Sequence, residues 1–123
     1  MEEVLNELET YYPEVKNWYE NKVIGDPDRL VKIITDSATG EVKGLLILKR
    51  YFNDRKISIL FVMKKYRGKG IGRDLLILSI EEFKREIFYI DIHKDVISEY
   101  VVLMENHGLI KAPIVENRYH WMG

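Results

Sequence analysis

Between Phe61 and Arg73 the chain runs Phe-Val-Met-Lys-Lys-Tyr-Arg-Gly-Lys-Gly-Ile-Gly-Arg, an apolar segment that breaks into a basic loop with three alternating glycines. Glycine lacks a Cβ, so this spacing lets the backbone turn sharply and brings its N–H groups close to another molecule. The residues that follow, Asp74-Leu75-Leu76, start a helical apolar pattern. A strand, a tight loop and a helix start are therefore expected. Amides converging at a helix N-terminus, beside the side chains of Lys64, Lys65, Arg67, Lys69 and Arg73, make a site for an anion, and a phosphate is the expected guest.

Spacing narrows the kind of phosphate ligand. A nucleoside-triphosphate loop needs Gly-Lys-Ser/Thr, and no Ser or Thr follows Lys69. A dinucleotide loop needs Gly-x-Gly-x-x-Gly, but the sixth position is Arg73 counted from Gly68 and Leu75 counted from Gly70. The pattern that matches is Arg-x-x-Gly-x-Gly, here Arg67-Gly68-Lys69-Gly70-Ile71-Gly72. In its strand–loop–helix setting this resembles the acetyl-CoA loop of the Gcn5-related N-acetyltransferase (GNAT) superfamily, whose loop amides hold the CoA pyrophosphate.

The 123 residues suit one domain spanning 1–123. Lys plus Arg number 19 against 20 Asp plus Glu, so no global attraction to nucleic acid or to a membrane is indicated. A nucleic-acid module on the basic loop would also want interleaved aromatics, and only Tyr66 is there. Charge is uneven instead: residues 1–20 hold six acids and one base, whereas residues 64–73 hold five bases and no acid. The absence of cysteine excludes disulfides and thiolate chemistry, and His93, His107 and His120 lack metal-ligand spacing, so no metal is expected. With an acidic start and no apolar run near the roughly 18 residues of a membrane span, the expected location is the cytoplasm.

Along the chain, Val4, Leu5 and Leu8 predict a helix within 2–11, and Pro13 opens a second one carrying Val15, Trp18 and Tyr19, ended by Gly25-Asp26-Pro27. The rings of Tyr11, Tyr12, Trp18 and Tyr19 are expected to cover a sheet. Three antiparallel strands follow, Arg29 to Thr35, Val42 to Tyr51 and Ile57 to Met63. In the third, Ile57, Ile59, Phe61 and Met63 are expected on one face and Ser58, Leu60 and Val62 on the other, which makes it central. After the loop, Leu75, Leu76, Ser79, Ile80 and Phe83 stripe a helix, and Phe88 to His93 alternates as a strand with Tyr89, Asp91 and His93 on its polar face. Asp95 is the expected N-cap of a helix over Val96 to His107, closed by Gly108. Leu109 to Gly123 supplies one or two short strands.

This order resembles the same superfamily over nearly the whole chain, without the usual strand before the first helix. The resemblance implies an α/β (α+β) fold with a mixed, mostly antiparallel sheet, one parallel strand pair and helices on both faces. It implies acetyl-CoA as co-substrate, with Leu60, Phe61 and Val62 along the pantetheine arm and Arg67, Gly68, Lys69, Gly70, Ile71, Gly72 and Arg73 at the pyrophosphate. An oxyanion donor is expected near Val62. The early helices would border an acceptor pocket, where aromatics and nearby glutamates would select a cationic amine. The family's Tyr-x-x-x-Gly-Phe signature, whose tyrosine protonates the departing thiolate, reads Met104-Glu105-Asn106-His107-Gly108-Leu109 here. Methionine donates no proton, and Tyr100 lies one helical turn earlier. An asparagine usual near the start of this helix is replaced by Lys94-Asp95.

The expected function is N-acetyl transfer from acetyl-CoA to a primary amine (a protein N-terminus, a lysine or a small amine) by direct attack. Asp91, His93 and Tyr100 are the candidate catalytic residues. His107 is expected to interact with terminal helix carbonyls and His120 to border the acceptor pocket. Met104 also leaves open a domain that binds acyl-CoA without turnover, and the chain is compatible with a homodimer.

Overall fold

In the computed structural model, which describes residues 1–123, the β-branched runs form β1 (Arg29–Thr35), β2 (Val42–Tyr51) and β3 (Asp54–Val62). β4 (Phe88–Asp91), β5 (Leu109–Lys111) and β6 (Arg118–Trp121) complete one sheet of order β1-β2-β3-β4-β6-β5. β3 and β4 pair in parallel, and all other neighbours pair antiparallel. The helices are α1 (Glu2–Leu8), α2 (Val15–Trp18), α3 (Ile71–Glu82) and α4 (Ile97–Asn106). α2 runs on into a π-helical turn over Tyr19–Val23. The parallel pair forces the chain to cross from one end of the sheet to the other, and α3 makes that crossing.

The cross-strand register assigns the faces. Gly44 lies opposite Val62, and a Cβ at Gly44 would stand 2.9 Å from Ile71 Cγ2 and 3.1 Å from Leu75 Cδ1. α3 therefore presses its first turns onto the Gly44 face. Phe61 points the other way, and its ring meets Tyr11, just past α1, at 6.2 Å. Helices thus cover both faces. On the α3 face, Phe88 stacks on Trp121 at 5.7 Å and meets Phe83 at 5.1 Å, tying the end of the crossover to β4 and β6. Tyr11, Tyr12, Trp18 and Tyr19 are partly buried against the core.

Three local expectations need correction. First, β2 residue Ile47 pairs with Ile59 and the next, Leu48, pairs with Ile57, so Ser58 is an extra residue in β3. This β-bulge resets the alternation: Ile57 shares the Gly44 face, opposite to Ile59 and Phe61. A period-two count through the segment cannot register an inserted residue. Second, β4 ends at Asp91, so Ile92 and His93 lie beyond the strand. Third, α4 is capped by Val96 with no side-chain hydrogen bond; Asp95 sits a residue too early and instead donates its N–H to His93 Nδ1 at 3.1 Å. At the other end of α4, Gly108 takes φ +80°, and His107 Nδ1 lies 2.9 Å from the Leu103 carbonyl.

The Gly44 contact gives a stability prediction. Ile71 Cγ2 sits on a β-branched carbon and cannot swing away, so Gly44→Val is expected to lose about 1–3 kcal/mol by overpacking. Chemical denaturation would measure it, and unchanged stability would show that α3 does not rest on this residue.

Candidate active site

The parallel pairing of β3 and β4 is brief. Only Lys56 with Tyr89 and Ile57 with Ile90 are in register, and the strands part from Ser58 onward. On its far side β3 stays bonded to β2, where Met63 donates its N–H to the Lys43 carbonyl at 2.9 Å. Alternation along the strand turns the Phe61 main-chain groups the same way, while those of Leu60 and Val62 face the gap left by β4. Arg67 Nε donates to the Val62 carbonyl at 3.1 Å from that side. Of the three expected pantetheine residues, Leu60 and Val62 present main chain to the gap and Phe61 presents its ring.

A cleft opens where the strands part, walled by Ser58, Phe61, Asp91, His93, Tyr12 and Tyr100 among others. The structure thus brings the three candidate catalytic residues to one cavity, in different states. Arg118 grips Asp91 through Nε at 2.7 Å and Nη2 at 3.0 Å. That pairing holds the Asp91 carboxyl below the usual carboxylate range, which makes it a weaker base. The ring of His93 packs against the edges of Tyr11 and Tyr12, at 5.9 and 5.3 Å. Its Nδ1 accepts the Asp95 N–H at 3.1 Å and lies 3.7 Å from the Asp95 carboxylate, so that nitrogen is engaged by its own turn. Tyr100, on α4, brings its ring into the cleft near the Val62 N–H. Burial raises its pKa, against the opposing pull of Arg67 and that N–H. Met104 is fully buried in the core, so the methionine at the signature position lies outside the cleft.

Tyr100 also borders a second cavity, lined by Val62, Arg67, Gly68, Gly70, Gly72 and Arg73. Lys64–Tyr66 form one 3-10 turn, Gly68 and Gly70 take φ +77° and +80°, and Gly70 caps α3 without a side-chain bond. None of the amides from Gly68 to Arg73 has a backbone acceptor. Gly72 permits the tight fit here, since a Cβ would meet Leu103 of α4 at 3.3 Å. The expected ring of five cations is thinner than its sequence: of the five only Arg67 and Arg73 line the cavity, Lys65 turns away to Glu41 at 2.8 Å, and the Lys69 ammonium lies 5.7 Å over the Tyr66 ring. Arg67 stays, pinned by Glu99 at 3.3 Å and lying 5.4 Å over the Phe61 ring. Unpaired amides, a helix start and two guanidiniums at the cavity are the groups that suit an anion.

A third, wider groove adjoins the cleft, with Tyr11, Tyr12, Ser58 and Ile59 common to both. Its remaining wall includes Glu14, Trp18, Arg29 and Lys56. His120 is elsewhere, beside Tyr89 at 5.9 Å, and lines neither cavity. Arg29, Lys56 and Ser58 were not expected at a site. In sequence they read as a strand start and as polar positions of a strand, and only the bulge and the open gap bring them together.

The chain matches the model of the acetyltransferase (GNAT) family over residues 1–99. No curated protein matches it. Among solved structures, the E. coli protein YhhK bound to coenzyme A superposes with a TM-score of 0.72 at 11% identity, covering 100% of this chain and 91% of that one. A Bacillus anthracis protein in complex with acetyl coenzyme A gives 0.64 at 18% identity, covering 84% and 67%. Tetrahymena Gcn5 gives 0.65 at 13% identity, covering 96% and 85%. At these identities the likeness is one of fold. With the family match spanning most of its length, and the glycine loop and the parted strands inside the matched region, the chain belongs to the acetyltransferase (GNAT) family.

Proposed function

We propose that this protein transfers the acetyl group of acetyl-CoA to a primary amine by direct attack. The observation that carries the reading is the run of unpaired main chain from the β3–β4 gap to the start of α3, with Tyr100 between the two cavities. The pyrophosphate takes the amides of Gly68 to Arg73, with Arg67 and Arg73 at its flanks. The pantetheine arm lies along the free groups of Leu60 and Val62, as an added strand would. The thioester then reaches the cleft at Tyr100 and His93. Coenzyme A bound to YhhK and acetyl coenzyme A in the Bacillus anthracis complex are in keeping with this cofactor.

In the reaction the neutral amine attacks the thioester carbon, a C–N bond forms, and the C–S bond breaks. The Val62 N–H, which faces the gap beside β4, stabilises the oxyanion. The departing thiolate takes the Tyr100 proton. A tyrosine whose pKa lies above its usual value is fully protonated at neutral pH and fit for that role. The family match ends at residue 99, so Tyr100 is assigned on its position alone. The amine's proton leaves through the open groove to solvent. Asp91, committed to Arg118, and His93, committed to the Asp95 N–H, hold the cleft wall.

Three measurements test this. Calorimetric titration should show micromolar acetyl-CoA binding that neither adenosine nor pyrophosphate reproduces. Gly70→Val places a side chain at φ +80° and should weaken that binding at least about tenfold; unchanged affinity would remove the loop assignment. Tyr100→Phe should lower kcat roughly 100- to 10,000-fold with acetyl-CoA affinity nearly intact. The wild-type rate should climb with pH through neutrality as the amine loses its proton and, because the Tyr100 pKa is raised, fall only on the alkaline side of about 10, a falling limb that the phenylalanine variant lacks. A variant of full activity would return the chemistry to another donor.

A further inference from the structure

Arg29 opens β1 and forms part of the wide groove beside the cleft. Its guanidinium is held on three sides. Nη1 donates to Ser58 Oγ at 3.1 Å, Nε lies 3.3 Å from Asp26 Oδ2, and the Trp18 ring covers its face at 5.1 Å. The side chain is only 11% exposed. Nε is buried without a hydrogen bond, so Asp26 offsets the charge without satisfying the donor. Nη2 has no protein partner and is open to solvent. A guanidinium oriented in advance, with one free donor edge, is suited to a carboxylate.

Lys56 lines the same groove and makes no ion pair; its Nζ lies 5.8 Å over the Tyr89 ring. The register sets Arg29, Lys49 and Lys56 in one row across β1, β2 and β3, about 4.8 Å from strand to strand, all on the face that carries α1 and α2. The acidic first helices do not answer this charge. Glu7 bonds the Lys64 N–H, Glu9 pairs with Lys16 at 3.6 Å, and Glu14, exposed at the lip, is the one carboxylate among the groove residues. With Asp26 beside Arg29, two carboxylates face two cations here, whereas a groove for a polyamine would hold an excess of carboxylates.

We infer that the acceptor is an amine that also bears a carboxylate, of the amino-acid type. The carboxylate sits between Arg29 Nη2 and Lys56 Nζ, and the amine passes Ser58 into the thioester cleft. The inference rests on the acetyl transfer proposed above and names its substrate class.

The test compares kcat/KM, with acetyl-CoA as donor, for amino acids against their carboxamides and against spermidine. The acids should exceed the amides by roughly 10- to 100-fold. Arg29→Gln and Lys56→Gln should each erase most of that margin while acetyl-CoA affinity, measured calorimetrically, stays within about twofold. Lys56→Gln breaks no ion pair and keeps the test independent of folding. An equal or better rate with the amides or spermidine, a margin that survives both substitutions, or no reaction and no binding of either acid or amide to the CoA-loaded protein would overturn the inference. Failure of the unaltered protein to bind acetyl-CoA would instead overturn acetyl transfer itself.

Discussion

A strand edge inside a sheet is costly to leave unpaired, and the site depends on one that is. β3 is bonded to β2 along its length, but β4 accompanies it for only two residue pairs, and the bulge at Ser58 coincides with their parting. Past that point Leu60 and Val62 present donors and acceptors to a gap that no strand fills. Backbone polar groups must find partners in protein, water or ligand. Arg67 supplies one, to the Val62 carbonyl, and it is a side chain that an arriving molecule can displace or share.

The anion site repeats this logic at the helix start. The amides from Gly68 to Arg73 are unpaired because two left-handed glycines hold the chain open just before α3, and an N-terminal turn has no acceptors behind it. Charge around the loop is selective. Glu41 draws away Lys65 and accepts from Tyr66 at 2.7 Å, which fixes the base of the loop. Glu99 holds Arg67 where it bridges loop and cleft. Acidic residues therefore shape the cationic site by deciding which bases remain at it.

Packing keeps these parts in place. α3 rests its first turns on Gly44, so the helix whose N-terminus forms the anion site seats directly on the central strands. Gly72 then lets α4 come close enough for Tyr100 to reach Val62. The fully buried Met104 anchors α4 from below, which explains how a methionine at the signature position coexists with a tyrosine at the cleft.

Much of this was legible in the sequence because its signals are local. Glycine spacing, β-branched runs and helical stripes set the element order, the central β3, the parallel crossover and the loop at α3, and the bounds expected for β1 and β2 agree with the strands that form. The bulge was not legible, since an inserted residue appears only when a partner strand counts it. Nor were the commitments of Asp91 to Arg118 and of His93 to the Asp95 amide, or the meeting of Arg29, Lys56 and Ser58 in one groove. The chain by itself determined what could bind an anion, because backbone geometry at glycine is written residue by residue. Only the tertiary structure decided which side chains face the gap beside it, because strand register and helix seating are set by contacts between residues far apart in sequence.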